Sequence, residues 1–212
     1  MSGDLWLFGA TAFATVFSIV DPFAAAPIFI AITPTNSDDE RRRMARLASF
    51  VCCGVLLVFA LTGNRIFAFF GISPPAFRVA GGILLLMVAL DMLRARESAT
   101  KQTPEEQKEG TEKTDVSVTP LGIPLLAGPG AISTVALLGT QADWMRMAIL
   151  GAAIVITSLL SWILLANAVR LVRVLGQIGV KIVTRIMGLL LAGIGAQFIL
   201  TGIRQFWALP PP

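Results

Sequence analysis

Residues 120–134 read PLGIPLLAGPGAIST, and this stretch decides how the rest of the chain is understood. It holds Pro120, Pro124 and Pro129 together with Gly122, Gly128 and Gly130, yet it carries no charge and runs into a long apolar segment. It is too apolar for a surface loop and too broken for a plain helix. In a bilayer, irregular backbone is tolerated only where protein buries it or where it lines a cavity. An interrupted apolar segment therefore points to a binding site, more so if the other half of the chain holds a match. Val20–Pro27, VDPFAAAP, is that match: Pro22 and Pro129 stand about half of the 212 residues apart. The same offset aligns RVAGGIL from Arg78 with RIMGLLL from Arg185.

Apolar residues make up 55% of the chain and charged ones 14%, and the mean hydropathy is +0.77. That is the composition of a membrane protein. The net charge of +4 does not point to nucleic acid, because the basic residues lie between apolar segments, where they act as topology signals. Cys52 and Cys53 are the only cysteines and are adjacent, so neither a disulfide framework nor a zinc site is expected. The first residues, MSGDLWLFGA, lack a basic region ahead of the apolar run and read as the start of a span.

A span needs about 20 apolar residues. Six segments qualify: Leu5–Ile32, Leu47–Phe69, Pro75–Leu93, Leu121–Thr140, Met147–Val169 and Ile182–Gln205. The first would be about 42 Å long as one straight helix. A hydrocarbon core of about 30 Å does not need that length, and a break at Asp21-Pro22 would absorb the excess. The gaps after spans one, three and five hold Arg41, Arg42, Arg43, Arg46, Arg94, Arg96, Lys101, Lys108, Lys113, Arg170, Arg173, Lys181 and Arg185. Only Arg65, Arg78, Arg146 and Arg204 remain for the other side. Lys and Arg gather on the cytoplasmic side, so both termini are expected outside the cytoplasm.

Three spans per half make the halves enter the membrane from opposite sides. The expected fold is all-α: six transmembrane helices in two inverted three-helix repeats, the first helix of each repeat interrupted. Residues 1–93 form the first repeat, 94–118 a polar cytoplasmic linker, 119–207 the second repeat and 208–212 a tail. Secondary transporters use this plan, with a site near the midplane.

Asp21 is the deepest acidic residue in the spans. An aspartate near a helix centre costs about 2.5–3.5 kcal/mol on insertion scales. It can cap a half-helix beginning at Pro22, or face a cavity and bind a cation or proton; the two roles are compatible. In the second half, Gly128-Pro129 opens a half-helix whose first amides, at Gly130, Ala131 and Ile132, would favour an anion. Ser133 and Thr134 add hydroxyls, either for a ligand or bonded back to their own helix. A zwitterion fits the pair, its ammonium at Asp21 and its carboxylate at the half-helix start, with Ala24 and Ala25 leaving room for a small side chain. Arg78 and Arg185 open equivalent third spans; they either snorkel to the interface or serve a gate or ion pair. Gln197 is a polar position that would line the path or join helices.

The runs VDPFAAAPIFIAIT, FRVAGGILLLMVALDML, PLGIPLLAGPGAIST and RIMGLLLAGIGAQFILTG resemble the MarC family of bacterial and archaeal inner-membrane proteins over nearly the whole chain. The resemblance implies six spans, the cytoplasmic (inner) membrane, and kinship with SnatA-type transporters of small neutral amino acids such as alanine and glycine, driven by the proton gradient. Gly128-Pro129-Gly130 matches that family's pattern unchanged. At Asp21-Pro22 the family's usual Asn is replaced by Asp, and Ala24 and Ala25 stand where glycine is common.

The function expected is therefore a proton-coupled carrier of small neutral amino acids, with membrane lipids as surroundings and an assembly of several copies compatible with it. A membrane scaffold or an exporter of another small solute is the alternative. An enzyme is not expected: without histidine there is no Ser-His dyad, and no phosphate loop is present to couple ATP. No cofactor or metal is expected.

Overall fold

The computed structural model describes residues 2–33, 36–94, 117–140 and 142–208. Every regular element among them is helical. The order is α1 (Ser2–Val20), α2 (Pro22–Ile32), α3 (Asp38–Phe69), α4 (Pro74–Leu93), α5 (Ser117–Leu126, wound with π geometry), α6 (Pro129–Thr140), α7 (Trp144–Ala166) and α8 (Ala168–Ala208). Most of the expected linker, 95–116, and the tail 209–212 lie outside the described residues.

Local chemistry sets the helix starts. At α3, the Ser37 amide donates to Glu40 Oε2 at 2.7 Å and the Glu40 amide to Ser37 Oγ at 3.4 Å. This reciprocal cap satisfies amides that a helix start leaves orphaned. Ser73 caps α4 ahead of Pro74, and Asp143 caps α7 by accepting from the Arg146 amide at 2.8 Å. Arg41 closes α2 from outside: its Nη2 donates to the Thr33 carbonyl at 2.6 Å.

Among the described residues, five helical stretches are long and apolar enough to cross a membrane: Asp4–Ile32, Asp38–Gly63, Pro74–Leu93, Trp144–Ala166 and Ile178–Trp207. The expected span at Leu121–Thr140 is not one long helix. It consists of α5 and α6, broken as expected because Gly128 and Pro129 interrupt the backbone hydrogen bonding there. Two expectations need correction. The second span begins earlier than Leu47, since the capped turn at Asp38 carries the arginine-rich run into α3. Arg170 and Arg173 are not in a loop; they lie on the first turns of α8, which bends at Gly176 (φ 65°, ψ 173°). A positive φ there is open to glycine at no steric cost.

The helices alternate between two ends of the bundle. At one end Arg146 of α7 pairs with Asp4 of α1, and Arg78 of α4 meets Gln205 of α8. Trp6, Trp144 and Trp207 are strongly exposed at this same end, beside Phe69 and Phe70. Aromatic rings gather in this way at a membrane–water interface. The other end gathers the arginines of α3 and α8.

The contact register fixes the main crossings. On α4 and α8, Gly202 faces Pro75 and Val79, Gly82 faces Gly195 and Ile199, and Gly188 faces Ala89 and Met92, so these helices are antiparallel. Small residues permit that close approach in a membrane. α3 packs on α7. Further pairings fall into couples, α1–α7 with α5–α3, α2–α8 with α6–α4, α2–α7 with α6–α3, and α1–α6 with α5–α2, whereas α1–α8, α6–α7 and α7–α8 have no comparable counterpart among the described residues. Val16, Ile19, Phe29, Leu56, Leu85, Leu126, Leu137 and Ile154 fill the shared core.

Candidate functional site

The first break is one residue wide. α1 ends at Val20, and Asp21 takes the left-handed conformation at φ 47°, ψ 67°. It is the only non-glycine residue with positive φ among those described. Its amide still donates to the Phe17 carbonyl at 3.0 Å, and its own carbonyl accepts from the Ala25 amide at 3.1 Å. The carboxylate Oδ1 accepts from the Ala24 amide at 3.2 Å, with Pro22 in the first helical position. Asp21 thus serves as the cap the sequence suggests, and it is 1% exposed. Left-handed backbone in a non-glycine residue is strained and is found where a site over-determines it. Pro22 and Ala25 are buried behind this cap, while Ala24 is half-buried.

The second break is wider. The turns of α5 close with the Ala127 amide donating to the Gly122 carbonyl at 3.0 Å, a five-residue step. Such π turns are rare and concentrate at functional sites. Ala127 and Gly128 leave the helix, and α6 restarts at Pro129. Its first helical bond runs from the Ile132 amide to the Gly128 carbonyl at 3.0 Å. The Ile132 amide is therefore consumed, leaving Gly130 and Ala131 as the amides ahead of the first bond. Pro129 is exposed between the buried Gly128 and Gly130, so the helix start is open at that residue. Ser133 Oγ donates back to the Gly130 carbonyl at 3.0 Å. Thr134, 1% exposed, keeps its Oγ1 without a hydrogen-bond partner among the described residues.

The two breaks meet. A Cβ at Gly130 would lie 2.9 Å from Ile19 Cδ1 and 3.6 Å from Val88 Cγ2. Ile19 precedes Asp21 by two residues, so the start of α6 rests against the end of α1. A carboxylate-bearing break and an amide-bearing break share one neighbourhood, both deep in apolar helices.

The remaining expected positions lie elsewhere. Arg78 is 8% exposed, its Nη1 donates to Gln205 Oε1 at 3.1 Å, and its Nε has no partner among the described residues. Arg185 is exposed, so the two arginines are not equivalent in surroundings. Gln197 is exposed and donates to Thr201 Oγ1 at 3.1 Å. Sequence reasoning missed the buried hydroxyls of Thr157, Ser49 and Thr184, which lack partners among the described residues. A threonine or serine in an apolar helix carries no signal for its facing.

The family description "MarC family integral membrane protein" matches residues 6–207. The chain belongs to the MarC family. Among MarC relatives, a UPF0056 membrane protein of Methanocaldococcus jannaschii is 39% identical over 91% of this chain and 94% of its own length. One from Buchnera aphidicola is 38% identical over 90% of this chain and 89% of its own. The UPF0056 membrane protein YhcE of Escherichia coli is 37% identical over 91% of this chain and 90% of its own. This MarC protein is thus an integral membrane protein with relatives in bacteria and archaea. No solved structure matches it.

Proposed function

We propose that this MarC protein is a secondary transporter of small neutral amino acids, proton-coupled, with its site between the break at Asp21 and the start of α6. The observation that carries the reading is the contact between Ile19 and Gly130, which joins two interrupted helices from opposite halves of the chain. Discontinuous helices meeting at depth are the usual construction of transporter sites.

In this reading α1–α4 and α5–α8 are inverted repeats. Four packing couples support it: exchanging α1 and α2 with α5 and α6, α3 with α7, and α4 with α8 turns one member of each couple into the other, whereas α1–α8, α6–α7 and α7–α8 have no comparable counterpart among the described residues. The contacts α3–α7 and α4–α8 map onto themselves, as contacts across a twofold axis must. The arginine-rich end faces the cytoplasm of a bacterial or archaeal inner membrane, and both termini face away from it. The substrate carboxylate meets the amides of Gly130 and Ala131, helped by the Thr134 hydroxyl. The ammonium, or the coupling proton, meets Asp21. Arg78 and Gln205 lie at the outer end, where they can act on access. The protein is a carrier on this reading, not an enzyme, and works without a cofactor.

The test is uptake of labelled alanine and glycine into proteoliposomes, with and without an imposed pH gradient, for wild type and Asp21→Asn. Asparagine caps helices as well as aspartate and tolerates left-handed backbone, so the variant should insert and fold. Gradient-dependent uptake that the variant loses is the expected result. Full uptake by Asp21→Asn would remove Asp21 from the mechanism, and no uptake by a well-folded wild type would favour a scaffold or another solute.

A further inference from the structure

We infer that the groove between α3 and α7, at the arginine-rich end, is a site for one anionic phospholipid, which it holds by phosphate and glycerol backbone together. Two cavities, one after the other along α3 and α7, carry the inference. The outer one, about 150 Å³, is lined by Asp38, Arg41 and Arg42 of α3, Asn167 at the end of α7, and Arg170 and Arg173 of α8, four arginines against one carboxylate. That is roughly ten times the room a water needs and below the roughly 300 Å³ of a drug-sized pocket, a fit for a headgroup.

Its charge is not balanced. Arg41 pairs with Asp38 at 3.5 Å and Arg42 with Asp39 at 3.9 Å. Arg170 and Arg173 have no acidic partner among the described residues. Two guanidinium forks facing one cavity suit a phosphate, whose oxygens they can meet in pairs.

The inner cavity, about 70 Å³, lies deeper along the same two helices. Arg46 and Trp162 mark its outer end, and Phe50 and Leu159 its apolar wall. Ser49 and Ser158 line its wall, 3% and 5% exposed, with their hydroxyl oxygens covered. Both hydroxyls are buried without a hydrogen-bond partner among the described residues. A serine in an apolar helix can bond back to the preceding turn, as Ser161 does to the Thr157 carbonyl at 2.8 Å. Ser49 and Ser158 do not, so each is an unmet donor beside the cavity and must turn about its side-chain bond to reach a lipid ester carbonyl. Arg42 and Ser49 are seven residues apart, roughly 10 Å along the helix. A soluble anion would use the arginines and leave the serines unmet; a diacyl phospholipid uses both. Basic pockets between transmembrane helices on the cytoplasmic side are suited to anionic headgroups.

The experiment places the full chain in nanodiscs of phosphatidylcholine with or without phosphatidylglycerol. It reads the thermal midpoint, and the lipid retained after detergent extraction by native mass spectrometry. Phosphatidylglycerol should raise the midpoint and stay bound; phosphatidylcholine and inorganic phosphate should do neither. Arg170→Gln/Arg173→Gln should weaken retention roughly thirtyfold, taking each surface cation at its usual worth. These arginines also signal topology, so a second variant guards against failed insertion. Ser49→Ala/Ser158→Ala should insert normally and retain less phosphatidylglycerol. Retention of phosphatidylglycerol undiminished in both variants, or equal retention of phosphatidylcholine, overturns the inference. A midpoint shift that inorganic phosphate reproduces in full overturns the lipid as occupant.

Discussion

Replacing Gly130 by alanine would put a methyl group 2.9 Å from Ile19 Cδ1 and 3.6 Å from Val88 Cγ2. The second distance is an ordinary contact; the first is about 0.5 Å too short, so one atom has to give. That atom ends a flexible side chain, which puts the cost near the low end of the range for overpacking, about 1 kcal/mol. Alanine recovers about 0.5 kcal/mol over glycine in a helix, leaving Gly130→Ala about 0.5 kcal/mol less stable than wild type. Ile19→Val removes Cδ1 itself and should cost about 0.5–1.5 kcal/mol alone. In the double variant the clash is gone, so its destabilisation should fall short of the sum of the singles by about 1 kcal/mol. Thermal unfolding of the four proteins in one detergent reads this as about 2–4 °C for a chain of this size. Alanine uptake should follow the same cycle, falling in Gly130→Ala and recovering in the double variant. Additivity within about 0.3–0.5 kcal/mol is the mark of residues that do not touch. Finding it would separate the two breaks and leave the proposed site without its geometry.

The glycines of the α4–α8 crossing should divide sharply. A Cβ at Gly82 would meet the Gly195 carbonyl oxygen at 2.7 Å and the Ile199 amide at 3.0 Å, backbone atoms that cannot swing aside, whereas at Gly193 it meets nothing within 4 Å. Gly82→Ala should therefore cost about 3 kcal/mol, and Gly193→Ala should be neutral or stabilising by up to about 1 kcal/mol in the same unfolding assay. At the first break, Asp21→Asn should keep wild-type stability, while Asp21→Ala should lose about 1–3 kcal/mol by removing the cap and placing alanine in left-handed backbone. At the aromatic end, Asp4→Asn should lower stability by less than about 1 kcal/mol, because the pair with Arg146 is partly exposed and solvent screens it. Gln205→Leu removes the hydrogen-bond partner of the buried Arg78 and should cost about 0.6–1.7 kcal/mol, the range for such bonds in membrane helices.

Much of this was legible in the chain. Prolines and glycines remove donors or permit unusual backbone, so Asp21-Pro22 and Gly128-Pro129 announced both breaks. The capping box at Ser37 and Glu40 and the prolines opening α2, α4 and α6 are equally local signals. What stayed hidden is what depends on neighbours. Nothing around Ser133 distinguishes a hydroxyl bonded to its own helix from the partnerless one of Thr134. Arg78 and Arg185 hold equivalent places in the pattern, yet one is buried against Gln205 and the other exposed. The π winding of α5 and the continuation of α8 through Arg170 and Arg173 arise from packing that hydropathy does not describe. The groove between α3 and α7 joins residues more than a hundred positions apart, and no local pattern marks it.

The two breaks differ in chemistry, and on the proposed reading this difference gives the site a direction. At the first break a carboxylate is held at depth in strained backbone. Asparagine would supply the same cap and accept the same backbone without the cost of a charge in apolar surroundings. The capping role alone therefore does not account for aspartate at position 21. At the second break no side chain carries charge; the polarity comes from the amides of Gly130 and Ala131 at the positive end of α6. A symmetric pair of carboxylates would repel across the contact at Ile19, and a symmetric pair of helix starts would attract only anions. One of each, with Ile19 packed on Gly130 where the two broken helices touch, brings opposite polarity into one neighbourhood. On the proposed reading a small zwitterion would meet that arrangement in one orientation, with its ammonium toward the first half and its carboxylate toward the second. A rocking motion between the halves would then pull on both ends of the same substrate, coupling its release to the charge state of Asp21.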